Sequence, residues 1–119
     1  MTDSRYDLEE RTFQFAKSVR SFIKSLPVSL TNREDCKQLT RCSASVGANY
    51  IEANEALNKK DFLYRIKIAR KEAKESIFFL RLVDRGDGQP LNATRNKLQD
   101  DATQLMKILG AILSKSEKK

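Results

Sequence analysis

Histidine and tryptophan are both absent from this 119-residue chain. Without histidine there is no Ser–His or Cys–His nucleophile pair and no His-ligated metal site. Four glycines and two prolines are too few for the many turns of a β-sandwich or barrel. No apolar run reaches the roughly 18 residues of a membrane span. The opening ten residues lack the apolar core of a signal peptide, so a cytoplasmic protein with no membrane contact is expected. Neither a Walker pattern nor G-x-G-x-x-G occurs, which removes the usual phosphate-cradling loops. Only two cysteines are present, Cys36 and Cys42. Six positions apart on a helix, they point about 240° apart around its axis and cannot easily bond to each other. Both read as small buried hydrophobes.

What is present is charge and helical periodicity. Hydrophobic residues make up 39% and charged residues 33%, the balance of a single soluble domain over residues 1–119. Twenty-three Lys and Arg against 16 Asp and Glu give a net charge of +7. That excess serves either solubility or a polyanionic partner. Turn signals fall at Leu26–Asn32, at Leu57–Lys60 and at Gly86–Pro90. The four segments between them predict helices at about 8–25, 32–56, 59–85 and 92–114, with Lys115–Lys119 as a frayed tail. Thr31 to Glu34 fits a capping box for the second helix. Asn58 and Gly86 bracket the third as cap and stop. Short connections make neighbours antiparallel, so the expected fold is an all-α, up-down-up-down four-helix bundle.

The third helix carries more than a bundle needs. At 100° per residue, Phe62, Ile66, Ala69, Ala73, Ile77, Leu80 and Val83 form the core arc. Tyr64, Ile68, Phe79 and Leu82 form a second apolar arc. Lys60, Lys67, Arg70, Lys71, Lys74, Arg81 and Arg85 form a basic arc. Segment 59–85 holds nine basic and four acidic residues, a net +5 of the total +7. On the second helix the core stripe is Leu39, Cys42, Val46, Tyr50, Ala53 and Leu57. Ala44, Ala48 and Ile51 make a small apolar patch roughly opposite. It suits either tight packing within one bundle or a subunit contact, together with Tyr64, Ile68, Phe79 and Leu82. The carboxylates Glu52, Glu72 and Glu75, with Asn49, are expected to hold the second and third helices in register. A di-iron bundle uses Glu-x-x-His pairs, so without histidine no metal or other cofactor is expected. No acid, base or nucleophile forms a catalytic set, and a non-enzymatic role follows.

Ser43-Ala-Ser-Val-Gly-Ala-Asn-Tyr50-Ile-Glu-Ala53, then Lys60-Asp-Phe62, then Ile68-Ala-Arg-Lys-Glu72-Ala-Lys-Glu75 resembles the bacterial 23S rRNA intervening-sequence protein family. The match runs over about residues 8 to 114. The resemblance implies a cytoplasmic four-helix bundle assembled as a homopentamer. It also implies similarity to the accessory protein of diversity-generating retroelements, a basic pentamer that binds nucleic acid and a reverse transcriptase. A reverse-transcriptase-like partner is thus a further implication.

Two functions follow as expectations. The first is nucleic-acid binding by the basic arc of an oligomer. Most of the three tyrosines and six phenylalanines lie on apolar arcs. No exposed stacking platform is therefore expected, and non-specific phosphate contact is the expected mode. The second is a protein–protein scaffold or accessory subunit without direct nucleic-acid binding, its basic face merely solvated or serving an acidic partner.

Overall fold

The computed structural model describes residues 4–87 and 89–117. They form four helices, α1 (Ser4–Lys24), α2 (Leu30–Asn54), α3 (Lys59–Leu82) and α4 (Gln89–Glu117), and no strand. Among the described residues α1 and α3 each pack on both α2 and α4, and neither diagonal pair packs. This is the contact pattern of a four-helix bundle, here 49 × 30 × 20 Å.

The apolar stripes meet on the bundle axis. Val19, Leu39, Val46, Ile66, Leu80, Leu105 and Leu109 are fully enclosed, with Phe15, Phe22 and Tyr50 around them. Each such aliphatic side chain contributes about 1.5–3 kcal/mol by leaving water. Small residues set the closest approach. A Cβ on Gly47 of α2 would lie 2.7 Å from Oγ1 of Thr12 on α1. Thr12 is itself buried and donates to the Glu9 carbonyl at 2.8 Å. Among the described residues, every buried side-chain nitrogen or oxygen has a hydrogen-bond partner.

Asn58 caps α3, its Oδ1 accepting from the Asp61 N–H at 2.8 Å. The other ends differ from expectation. The cap of α2 is Ser29 rather than Thr31. Ser29 is extended (φ −156°, ψ 165°), and its Oγ accepts from the Asn32 N–H at 3.1 Å. The Asn32 side chain is drawn into a tertiary role instead. Its Nδ2 donates to the Pro27 carbonyl at 2.9 Å and to the Asp84 carbonyl at 2.8 Å, and its Oδ1 accepts from the Asp84 N–H at 2.9 Å. One buried amide thereby ties the α1–α2 turn to the α3–α4 turn.

That clasp also explains why α3 stops at Leu82. Val83 turns extended (φ −60°, ψ 143°) and Asp84 is held by Asn32. Gly86 lies beyond the helix, in the turn, with φ 70° and its N–H donating to the Asp84 carboxylate. The expected end at residue 85 is therefore too late.

α2 ends at Asn54. The Glu55 and Ala56 N–H groups bond three residues back, which tightens the chain and turns Leu57 out of its expected core place, 95% exposed. Pro90 sits inside the first turn of α4 rather than ahead of it, where its missing N–H has no partner to lose. At the far end Lys115 to Glu117 are helical rather than frayed. Lys118, Lys119 and Gly88 lie outside the described residues.

Candidate nucleic-acid interface

α3 bonds to α2 through polar groups on one flank. Arg41 of α2 reaches Glu72 at 3.3 Å and Glu75 at 3.6 Å. Glu72 is buried and also accepts from the Ser45 hydroxyl at 3.4 Å. Asn49 donates to the Ser45 carbonyl and hydroxyl, both at 2.9 Å, and accepts from Arg65 of α3 at 3.1 Å. Arg65 also lies 4.0 Å from Glu52. The four polar residues singled out in the sequence thus converge on one strip. Arg41 and Arg65, which join them, carry no signal in the sequence, because their pairing depends on the register between two helices. Beneath the strip Ser76 donates to the Glu72 carbonyl at 2.9 Å and to Cys42 Sγ at 3.4 Å. Burial pushes the Cys42 thiol up from its ordinary value, and the Ser76 hydrogen bond opposes this. Burial and the neighbouring Asp35 carboxylate raise the Cys36 thiol.

The flank of α3 beside α4 and solvent is different. Lys60, Lys67, Arg70, Lys71, Lys74 and Arg81 are all exposed. Lys67, Arg70, Lys71 and Lys74, with Leu113 of α4, line a shallow depression of about 330 Å³. Gly110 of α4 lets Arg70 lie across it, the Arg70 Cδ being 3.7 Å from where a glycine Cβ would stand. Lys67 pairs with Glu117 at 3.7 Å, both exposed. Among the described residues, Lys60, Arg70, Lys71, Lys74 and Arg81 have no carboxylate within ion-pair distance. Arg85 does not belong to this face. It lies in the turn after α3, half-buried, donating to the Gly86 carbonyl at 3.3 Å.

Two aromatic rings are exposed in or beside the basic arc, Phe78 within it and Tyr64 at its edge next to Arg65, against the expectation that none would be. Tyr64 is 58% exposed and Phe78 is 56% exposed. Phe78 carried no signal of its own in the sequence, because by the helical period it falls within the basic arc, between Lys74 one turn before and Arg81 after, and belongs to neither apolar arc.

The expected contact residues divide between two places. Ala44, Ala48 and Ile51 of α2 line a groove of about 440 Å³ with Phe13, Ala16, Lys17 and Arg20 of α1, over Gly47. Phe13 on its rim is 57% exposed. Tyr64, Ile68, Phe79 and Leu82 are on α3 and do not line that groove. Ile68 and Phe79 are half-buried, whereas Tyr64 and Leu82 are exposed.

Among the described residues, no three His, Cys, Asp or Glu side chains gather as a metal-holding group. None of the described helices is long and apolar enough to cross a membrane.

Comparison with known proteins places this geometry in a family. No curated protein matches the chain. A solved structure from Bacteroides thetaiotaomicron, described as a protein of unknown function from the S23 ribosomal protein family, is similar over 94% of this chain and 99% of its own. Its TM-score is 0.76 at 26% identity. The family model of the 23S rRNA-intervening sequence protein matches residues 5–111. With nearly the whole bundle inside that match, the chain belongs to the 23S rRNA-intervening sequence protein family.

Proposed function

We propose that this chain is a non-enzymatic module that binds nucleic acid, RNA or DNA, through phosphate contacts on the exposed face of α3, and that copies of it assemble to repeat that face. The carrying observation is the set of cations Lys60, Arg70, Lys71, Lys74 and Arg81 that have no carboxylate partner among the described residues, beside the paired Lys67. Like charges this close repel one another, and a phosphate backbone relieves the repulsion while releasing its own condensed counterions. The family description, which links its members to intervening sequences of 23S rRNA, makes RNA the first ligand to try.

The apolar groove between α1 and α2 favours a protein contact as well, and a second copy of the chain is its proposed occupant. A ring of five follows the family resemblance. Light scattering should give a mass several times 13.6 kDa. A monomer mass at micromolar concentration overturns the assembly.

Anisotropy titration of labelled RNA and DNA against salt tests the binding itself. Log affinity should fall linearly with log salt, with a slope of about −0.9 per phosphate neutralised on duplex DNA. Replacing Lys67, Lys71 and Lys74 together by Glu should weaken binding about a hundredfold at low salt for every sequence alike, and flatten the slope. Absence of binding by the wild-type protein at tens of micromolar in low salt removes this reading and leaves the scaffold.

A further inference from the structure

Granting the nucleic-acid reading just given, we infer that the α3 face takes single strands in preference to duplex, with Tyr64 and Phe78 as stacking platforms for two unpaired bases. Both rings are more than half exposed; by the helical period Phe78 falls within the basic arc and Tyr64 about 20° beyond Lys71, at its edge. They are 14 positions apart, so they stand about 21 Å apart along α3 and about 40° apart around it. Lys67, Lys71 and Lys74 fall between them in sequence and within the neighbouring arc. At the stacked spacing of about 3.4 Å per nucleotide this separation spans roughly six nucleotides. Single-strand sites of about 4–16 nucleotides are usual.

Both rings are held in place by neighbours. Phe79, half-buried, meets Phe78 edge to face, with centroids 5.1 Å apart and planes at 87°. The Arg65 guanidinium lies 5.7 Å from the centre of the Tyr64 ring. It is itself fixed by Asn49 and Glu52. Rings ordered before binding lose little freedom on stacking.

A duplex offers this face only phosphates, and both rings would then lie idle. A protein partner would want the rings in one contiguous apolar patch. Here three lysines separate them, although Leu82, exposed one turn beyond Phe78, enlarges the patch at that end.

The test uses the full chain with a labelled oligothymidylate and a labelled duplex of equal length. Tyr64→Ala and Phe78→Ala should each weaken the single strand about tenfold and the duplex by less than about twofold. The chain has no tryptophan, so Phe78→Trp introduces a single indole at the platform, excited selectively at wavelengths beyond the absorption of the three tyrosines. It should retain single-strand affinity, and its emission should be quenched by oligothymidylate but not by the duplex. If wild-type protein binds both probes and the aromatic variants leave both affinities unchanged, or weaken both equally, stacking is refuted while phosphate binding stands. If it binds neither probe, both readings fall. If Phe78→Ala lowers the mass of the assembly and spares the single strand, the ring belongs to a protein contact and the inference is overturned.

Discussion

On the flank of α3 that meets α2, Glu72 and Glu75 share Arg41, Glu72 also takes the Ser45 hydroxyl, and Arg65 is shared by Asn49 and Glu52. On the flank beside α4, Lys71, Lys74 and Arg81 face water with no carboxylate within reach among the described residues. The same helix thus spends its charges in two ways. The paired flank is part of how the bundle holds itself in register. The other flank has the exposed Lys67–Glu117 pair and Arg70 lying across Gly110. Its Lys60, Lys71, Lys74 and Arg81 make no ion pair among the described residues, and by self-repulsion they oppose the fold slightly. Charge that destabilises the molecule retaining it invites a partner as its explanation.

The contrast can be broken by exchanging the two behaviours. The largest separation is expected from the triple replacement of Lys67, Lys71 and Lys74 by Glu. Nucleic-acid affinity should collapse about a hundredfold while stability changes by less than about 1 kcal/mol, because relief of cation repulsion at Lys71 and Lys74 offsets loss of the exposed Lys67–Glu117 pair. A parallel loss of stability in a melting experiment would put these lysines in the fold.

A smaller effect of opposite kind is expected from Arg41→Ala, which strands the buried Glu72. It should cost about 2 kcal/mol in denaturant unfolding, discounted from the value for fully buried pairs because Arg41 is half exposed. Lys71→Ala should stay within about 0.5 kcal/mol of wild type. Equal costs for Arg41→Ala and Lys71→Ala would erase the distinction between the flanks.

The finest test compares the two thiols. Cys42 lies enclosed beneath the paired strip and Cys36 is half exposed, so iodoacetamide should modify Cys36 first. Burial raises the Cys42 thiol above its ordinary value of 9.0. Its protonated form is therefore the one the fold favours. That contribution is complete below pH 9 and is lost as pH climbs through the raised value, so stability should decline in that alkaline window. Cys42 alkylation as fast as that of Cys36 near neutral pH would mean that the strip opens readily.

What was legible in the sequence follows from distance along the chain. The basic arc could be read because Lys60 to Arg81 share one helix, and a 3.6-residue period fixes their relative directions. The Asn58 cap could be read because its partner Asp61 is three residues away. The core stripes were legible for the same reason, except Leu57, which follows a break that the pattern alone does not locate. Arg41 and Arg65 could not be read as the joints of the polar strip, because 31 positions separate Arg41 from Glu72. Ser29 lost to Thr31 as expected cap because Asn32 answers to Asp84, 52 positions on. Arg85 was assigned to the basic face by the helical period, but the helix had already ended. Phe78 was hidden by its neighbours, since an aromatic within the basic arc fits neither a core stripe nor a charged one.

Asn32 has a consequence for the order of events in folding. A helical bundle with short turns is rich in local contacts and can assemble its hairpins early. The Asn32 amide bonds locally to Pro27, five residues back, but its two bonds to Asp84 reach across 52 positions and need α2 and α3 already packed. Those two bonds must open before the α3–α4 turn can leave the start of α2. A contact made after the transition state slows unfolding rather than speeding folding, so Asn32→Ala is expected to raise the unfolding rate in stopped-flow and leave the folding rate nearly unchanged.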